Sequence, residues 1–425
     1  MELKELVENQ YKDLAAKEGI NPTRKEGLDN FLSSGIPTSK HEEWKYADFN
    51  RVLKAPFSFQ IPVVNQADIQ PFLLEGLDAH LVVLLNGHFS ASLSQLGELG
   101  NQVLIQNFAE AKSAVQGKLN AYADAKNNPF SSLNTALATS GVYIQVPDGK
   151  VVEKPIFILN LSDTRGQHAL SLPRNFVSIG KNAQVKIVES YVSLGDQEGF
   201  TNGYTEVYAM ESSVSEYYKL QLQHSNASLV DTTQIIQHKN STFTCTTISL
   251  SGNMVRNNLN FVLDGENCEG NMNGLVLIKG NTLVDNHTSV DHAQPNSHSN
   301  ELYKGILDEK STGVFNGKIF VRQDAQKTNA YQSNKNLLIS EEATMNTKPQ
   351  LEIWANDVKC SHGATIGKLD KDMLFYLKAR GIGEKSAKAI LMKAFAYDVL
   401  SSISLPQVKA YLDKLISERL GLEVG

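Results

Sequence analysis

Along most of this chain apolar and polar positions alternate with period two, the pattern of strands that bury one face. From Gly141 to about Asp370 the runs are short, as in FVSIG, AQVKIVESYV, TEVYAM, SEYYKLQLQ, STFTCTTISL, NNLNFVLDG and NGLVLIKGN, and Gly, Asn, Asp and Ser punctuate them. Few helical stretches separate these runs. That argues against the crossover units of an α/β sheet and leaves a sandwich or a solenoid of stacked strands. The stretch exceeds a typical single sandwich, whereas a parallel β-helix adds turns indefinitely and tolerates Asn, Thr and Ser along its faces. The expected class is mainly β, with a parallel β-helix core, although no strict repeat period can be read.

The two ends have a different rhythm. Leu3, Leu6, Val7, Tyr11 and Leu14 form one stripe of an amphipathic helix, and a second helical stretch surrounds Gly27 to Leu32. In GIPTSKHEEWKYADF, Gly35 and Pro37 mark a turn before Trp44 and Tyr46, with His41 and Glu42 expected on an exposed loop beside a packed Trp. LVVLLNGHFSASLSQL reads as strand, type I′ turn at Asn86-Gly87, and strand, with His88 solvated after the turn. SSLNTALA is helical. Beyond Leu369 the period is again that of a helix, with Asp370 as N-cap. Ala387, Ile390, Leu391, Ala394 and Phe395 predict one buried face, and Val408, Tyr411, Leu412, Leu415 and Ile416 another after Pro406. The division expected is a helical and mixed domain over 1–140, the β-helix over 141–368 and a helical domain over 369–425. The tail is expected to be removable without unfolding the strand-built body.

Composition narrows the function. The chain has 425 residues, a formal net charge of −6 and a pI near 6.0, which offers no general electrostatic reason to bind nucleic acid or an acidic membrane. Three cysteines in so long a chain do not make a disulfide framework and suit a reducing compartment. MELKELVENQ has no apolar signal core and no run reaches membrane-spanning length, so the expected location is the cytoplasm. A polysaccharide-cleaving β-helix would be secreted and would cluster acids in one groove; here the acids are scattered. The words RGIGEKSAKAI, with Lys385 and Lys388, imitate a phosphate-binding hairpin. One such hairpin on an acidic chain supplies too few phosphate contacts to hold DNA or RNA.

The most reactive side chains lie where strand gives way to helix. Cys360 and His362 are two apart, so on a strand both leave the same face, roughly 6 to 7 Å apart at the α-carbon, with Ser361 on the other. Two ligands do not close a zinc or iron–sulfur site, so further ligands would have to come from elsewhere or from another chain. His287, Asp291, His292 and His298 form a second dense group, H-x3-D-H-x5-H, but in a solenoid residues so spaced straddle strand and corner. Cys245 and Cys268 are expected to be buried and structural.

QLEIWANDVKCSHGATIGKLD followed by FYLKARGI resembles the C-terminal signature of the SufB/SufD family of iron–sulfur cluster assembly proteins, and DVKCSHGAT resembles its SufD branch. The stretch from VDHAQPNSHSNELYKG to LEIW resembles the core of that branch, and the E-x-WKY of residues 42–46 its N-terminal signature. Trp354 stands where the family often has Tyr, and Asn356 where Asp is common. The resemblance implies helical ends around a right-handed parallel β-helix, and a scaffold subunit with no catalytic site of its own. It implies a SufB partner bound through the β-helix and a SufC ATPase that hydrolyses the ATP, in keeping with the lack of a G-x-x-x-x-G-K-[ST] loop here. By similarity, Cys360 and His362 face SufB, where iron or a nascent cluster is held transiently rather than as a stable cofactor of the isolated chain. The ATPase would dock on the tail at Leu374, Phe375, Tyr376, Leu377, Arg380, Gly381 and Ile382. A homodimer of the isolated chain is compatible with this reading; nucleic-acid and membrane partners are not expected.

Overall fold

The computed structural model describes residues 3–122 and 128–422. Its body is a β-solenoid of about eight turns spanning 143–367. Each turn lays one strand in each of two sheets. The first sheet runs through Val142–Val146, Arg174–Ile179, Gly199–Ala209, Ala227–Gln237, Met254–Leu263, Leu283–His292, Thr312–Val321 and Thr344–Ile353. The second starts at His80–Leu85 and continues through Ile156–Asp163, Gln184–Leu194, Val214–Gln221, Thr242–Ser249, Glu269–Ile278, His298–Leu307, Asn329–Leu338 and Lys359–Gly367. Successive turns pair in parallel. Antiparallel pairing between strands of the described residues is confined to the start, at Leu104–Asn107 and at the Asn86-Gly87 hairpin.

The repeat drifts, which hid its period. Cα partners step from Thr242 to Glu269 on one turn but from Thr312 to Thr344 on another, because corners lengthen while strands stay in register. One corner is nevertheless built alike on six turns: Asn182, Ser212, Asn240, Asn267, Asn296 and Lys327 all have positive φ. Each donates its backbone N–H to a carbonyl one turn further on, as Asn240 does to Glu266 and Asn296 to Gln326, both at 2.9 Å. Asn tolerates the left-handed conformation better than most residues, which accounts for the Asn punctuation.

Apolar side chains fill three spaces. Between the sheets lie Val177, Ile187, Val207, Tyr217, Phe243, Phe261 and their neighbours. Outside the first sheet, helices Leu3–Glu18, Pro22–Ser34 and Pro129–Leu137 pack with Trp44, Phe49 and Phe200. Outside the second sheet, helices Glu384–Leu400 and Pro406–Leu420 cover Leu81, Val83, Leu159, Leu220, Leu275 and Ile306. Lys304 ties this tail down, donating to the Phe395 carbonyl at 2.9 Å and pairing with Asp398. The tail thus covers a large apolar face of the second sheet.

Two local expectations need correcting. His88 follows the turn as read, but the hairpin packs against Leu172 and Pro173, so the imidazole is partly buried rather than solvated and burial lowers its pKa. In Glu384–Leu400 the buried residues are Ala387, Ala389, Ala396, Val399 and Leu400, while Ile390 and Ala394 are exposed. Ala396, Val399 and Leu400 join the apolar face of the second sheet, and burial along the helix does not follow a single stripe. The second face is as read, with Val408, Leu412 and Ile416 fully buried.

Candidate functional site

Among the described residues no further strand caps the end of the solenoid. Thr344–Ile353 and Lys359–Gly367 each have one sheet neighbour, so the free edge of each carries unpaired backbone donors and acceptors. In register, Cys360 pairs with Ala330 and His362 with Gln332, both buried, whereas Ser361 pairs with Tyr331, which is 46% exposed. Cys360 and His362 therefore stand on the inward-facing side of the last strand, with no further turn to cover them. His362 is exposed, and Cys360 is half-buried against a small cluster that includes Ala330, Ala325 and Ala355. Burial pushes the Cys360 thiol up, opposed by a backbone hydrogen bond from Ala330, so at neutral pH it is a thiol unless a metal binds it. Among the described residues no cluster of three His, Cys, Asp or Glu converges there. A C-x-H pair at a free edge supplies two donors and leaves room for others.

Behind His362 the same inward column continues through Gln332 to Glu301. The Glu301 carboxyl is 2% exposed; it accepts from the Thr288 hydroxyl of the opposite sheet at 2.6 Å and from the Gln332 amide at 3.1 Å. Desolvation raises its pKa to about 7, outweighing those two hydrogen bonds.

The profile of the SUF system FeS cluster assembly SufBD core domain matches residues 160–395, more than half of the chain, and that of the SufBD protein N-terminal region matches 2–158. The chain belongs to the SufBD family. An iron–sulfur cluster assembly SufBD family protein of Synechocystis is 31% identical over 416 residues, 95% of this chain and 92% of its own length. The iron–sulfur cluster assembly protein SufD of Escherichia coli is 28% identical over 417 residues, 97% and 96% of the two chains. The chloroplastic protein ABCI7 of Arabidopsis thaliana is 27% identical over 399 residues, 91% and 83%.

Other features of this SufBD chain sort themselves by geometry. His287 and His292 are five apart and so lie on opposite faces of one strand. His287 points outward between Asp285 at 3.0 Å and Glu43 at 3.2 Å; His292 is buried, 2.9 Å from the Ser299 hydroxyl, and burial takes its pKa to about 3. Asp291 pairs outward with Arg322, and His298 is exposed, so the second cluster does not converge. Cys245 and Cys268 are fully buried, and burial raises the Cys245 thiol to about 12.

The N-terminal signature has a role that local reading missed. Glu42 pairs with Lys348, Glu43 with Lys318 at 2.7 Å as well as with His287, and the Arg256 guanidinium lies over the Trp44 ring at 4.3 Å. The hydrogen bond from His287, then that from Lys318, holds the Glu43 pKa at about 2 against desolvation. This strap crosses the outer face of the first sheet and reaches its final strand. Only the pairing of acids next to an aromatic hinted at it in the sequence.

In the tail, Asp370 caps helix Lys371–Ala379 by accepting from the Asp372 and Met373 amides. The helix buries no residue: Phe375 is 73% and Tyr376 58% exposed, Arg380 and Gly381 are exposed, and Leu374, Leu377 and Ile382 are half-buried. No helix among the described residues is long and apolar enough to cross a membrane.

Proposed function

We propose that this SufBD-family chain is the SufD-type, non-ATPase scaffold subunit of a SufB–SufC–SufD complex. In this reading it pairs through the uncapped end of its solenoid with a SufB-type relative and holds iron or a nascent iron–sulfur cluster, as cargo, between the two. Cys360 and His362 supply half of the coordination sphere and the partner supplies the rest. The observation that carries this is the free edge, where an inward-facing thiol and imidazole are left uncovered beside unpaired backbone. Neutral imidazole suits borderline iron, and a thiolate can hold the same metal or a sulfur intermediate. The wording DVKCSHGAT and the full-length likeness to SufD of Escherichia coli favour the SufD-type assignment. The exposed helix Lys371–Ala379, with Phe375 and Tyr376 foremost, would receive the SufC-type ATPase, whose ATP hydrolysis drives the assembly.

The test is cluster and iron content of the complex co-expressed with SufB- and SufC-type partners, together with its yield and melting temperature. His362→Ala should assemble and melt like wild type yet lose most of its cluster; Cys360→Ala should lose part. Normal loading in a stable His362→Ala complex would remove the residue from the mechanism.

A further inference from the structure

Gln332 occupies the place in the column between the buried acid and the exposed edge. It is 3% exposed, and its neighbours in register are Glu301 on one side and His362 on the other. Its amide nitrogen is committed to Glu301 at 3.1 Å. Its carbonyl oxygen is buried and has no hydrogen-bond partner among the described residues. Across the interior stands Gly317, where an added Cβ would collide with the Gln332 amide, so no side chain there can offer a donor. A buried acceptor left without a donor is destabilising, and an apolar residue here would avoid that cost only by removing the donor to Glu301.

We propose that Gln332 is a positioning residue for His362: anchored through its N–H to Glu301, it accepts one imidazole N–H of His362 and leaves the other ring nitrogen bare towards the cargo. The inference rests on His362 being a ligand, as proposed above. The chemistry is that of metal-binding histidines generally, in which the hydrogen bond made by one ring nitrogen sets the tautomer and aims the other. Glu301 then acts at one remove by fixing which way the Gln332 amide points.

Two measurements test this. The first is imidazole tautomer by nitrogen-15 NMR of the histidine-labelled chain, with His362→Ala identifying the signal. Free neutral imidazole already favours the Nε2–H form, so wild type should depart clearly from that free ratio towards a single tautomer and Gln332→Met should return to it; a wild-type ratio equal to the free one would overturn the proposal whatever the variants do. The second is iron and cluster content of the co-expressed complex. Gln332→Met, close in size but lacking both the acceptor and the N–H that anchors it to Glu301, should load about tenfold less or worse, while Glu301→Gln, which still accepts from Gln332, should stay within about twofold of wild type. Gln332→Met loading like wild type where His362→Ala fails would end this proposal and leave the site reading standing. Normal loading of His362→Ala would end both.

Discussion

Glu301 and His292 are buried on the inward side of the solenoid and are displaced in opposite senses by the same cause, loss of water. The folded Glu301 carboxyl titrates near 7 against an ordinary value of 4.5, so between those limits the native state holds the extra proton. Stability therefore falls as pH rises through that window, by on the order of 3 kcal/mol for this group. Glu301→Gln should remove that slope, read as the urea midpoint measured from pH 4 to 8. His292, neutral down to about 3 against an ordinary 6.5, behaves inversely: the unfolded chain holds the extra proton, and stability is lost as pH falls from 6.5. His292→Gln should lessen the acid limb, part of which remains because Glu43, held at about 2, also loses stability as pH falls. An unchanged acid limb would mean that the imidazole is hydrated in the native state.

At the scale of elements, the two exposed surfaces differ in kind. The end strands offer backbone, and helix Lys371–Ala379 offers side chains. Phe375 and Tyr376 contribute little to the fold, being 73% and 58% exposed, so replacing both by Ala should change stability by no more than about 0.5 kcal/mol each. Under the proposed function the double variant should nevertheless lose co-purification with the SufC-type ATPase while retaining the SufB-type partner. Full ATPase recovery would move the docking surface elsewhere. Such point variants leave the neighbouring helices in place over the second sheet. The N-terminal strap is likewise an element held by side chains. Trp44 is buried among Phe49 and Phe130 under the Arg256 guanidinium, so Trp44→Ala should cost about 3–5 kcal/mol and lower the thermal midpoint.

For the whole molecule, the arrangement is helix, sheet, sheet, helix, with the solenoid covered at its start and open at its end. Helices lie outside both sheets as far as Leu283 on the first and Ile306 on the second, whereas among the described residues no further strand pairs with the free edges of the last two strands. Deleting residues 369–425 would uncover apolar surface along the second sheet, including Val83, Leu159, Leu220, Leu275 and Ile306. The deleted chain should aggregate or bind a hydrophobic dye strongly, measured beside wild type after gel filtration. A monodisperse, dye-silent product would show that the solenoid is self-sufficient.

Much of this was legible locally. Alternation with period two tells which side of a strand is buried, and it placed Cys360 and His362 together on one face before any fold was known, because side-chain direction in a strand depends only on parity. Caps, the Asn86-Gly87 hairpin and the helical ends were legible for the same reason, since each is decided within a few residues. What lies one turn away is not local. Glu301, Gln332 and His362 are brought into one column by a register that drifting corner lengths conceal, and Glu43 meets Lys318 across most of the chain. Whether an inward-facing side chain is buried or displayed depends on whether another turn follows it. That is a fact of tertiary structure, and it is why the same alternation that buries Ala330 and Gln332 leaves His362 open.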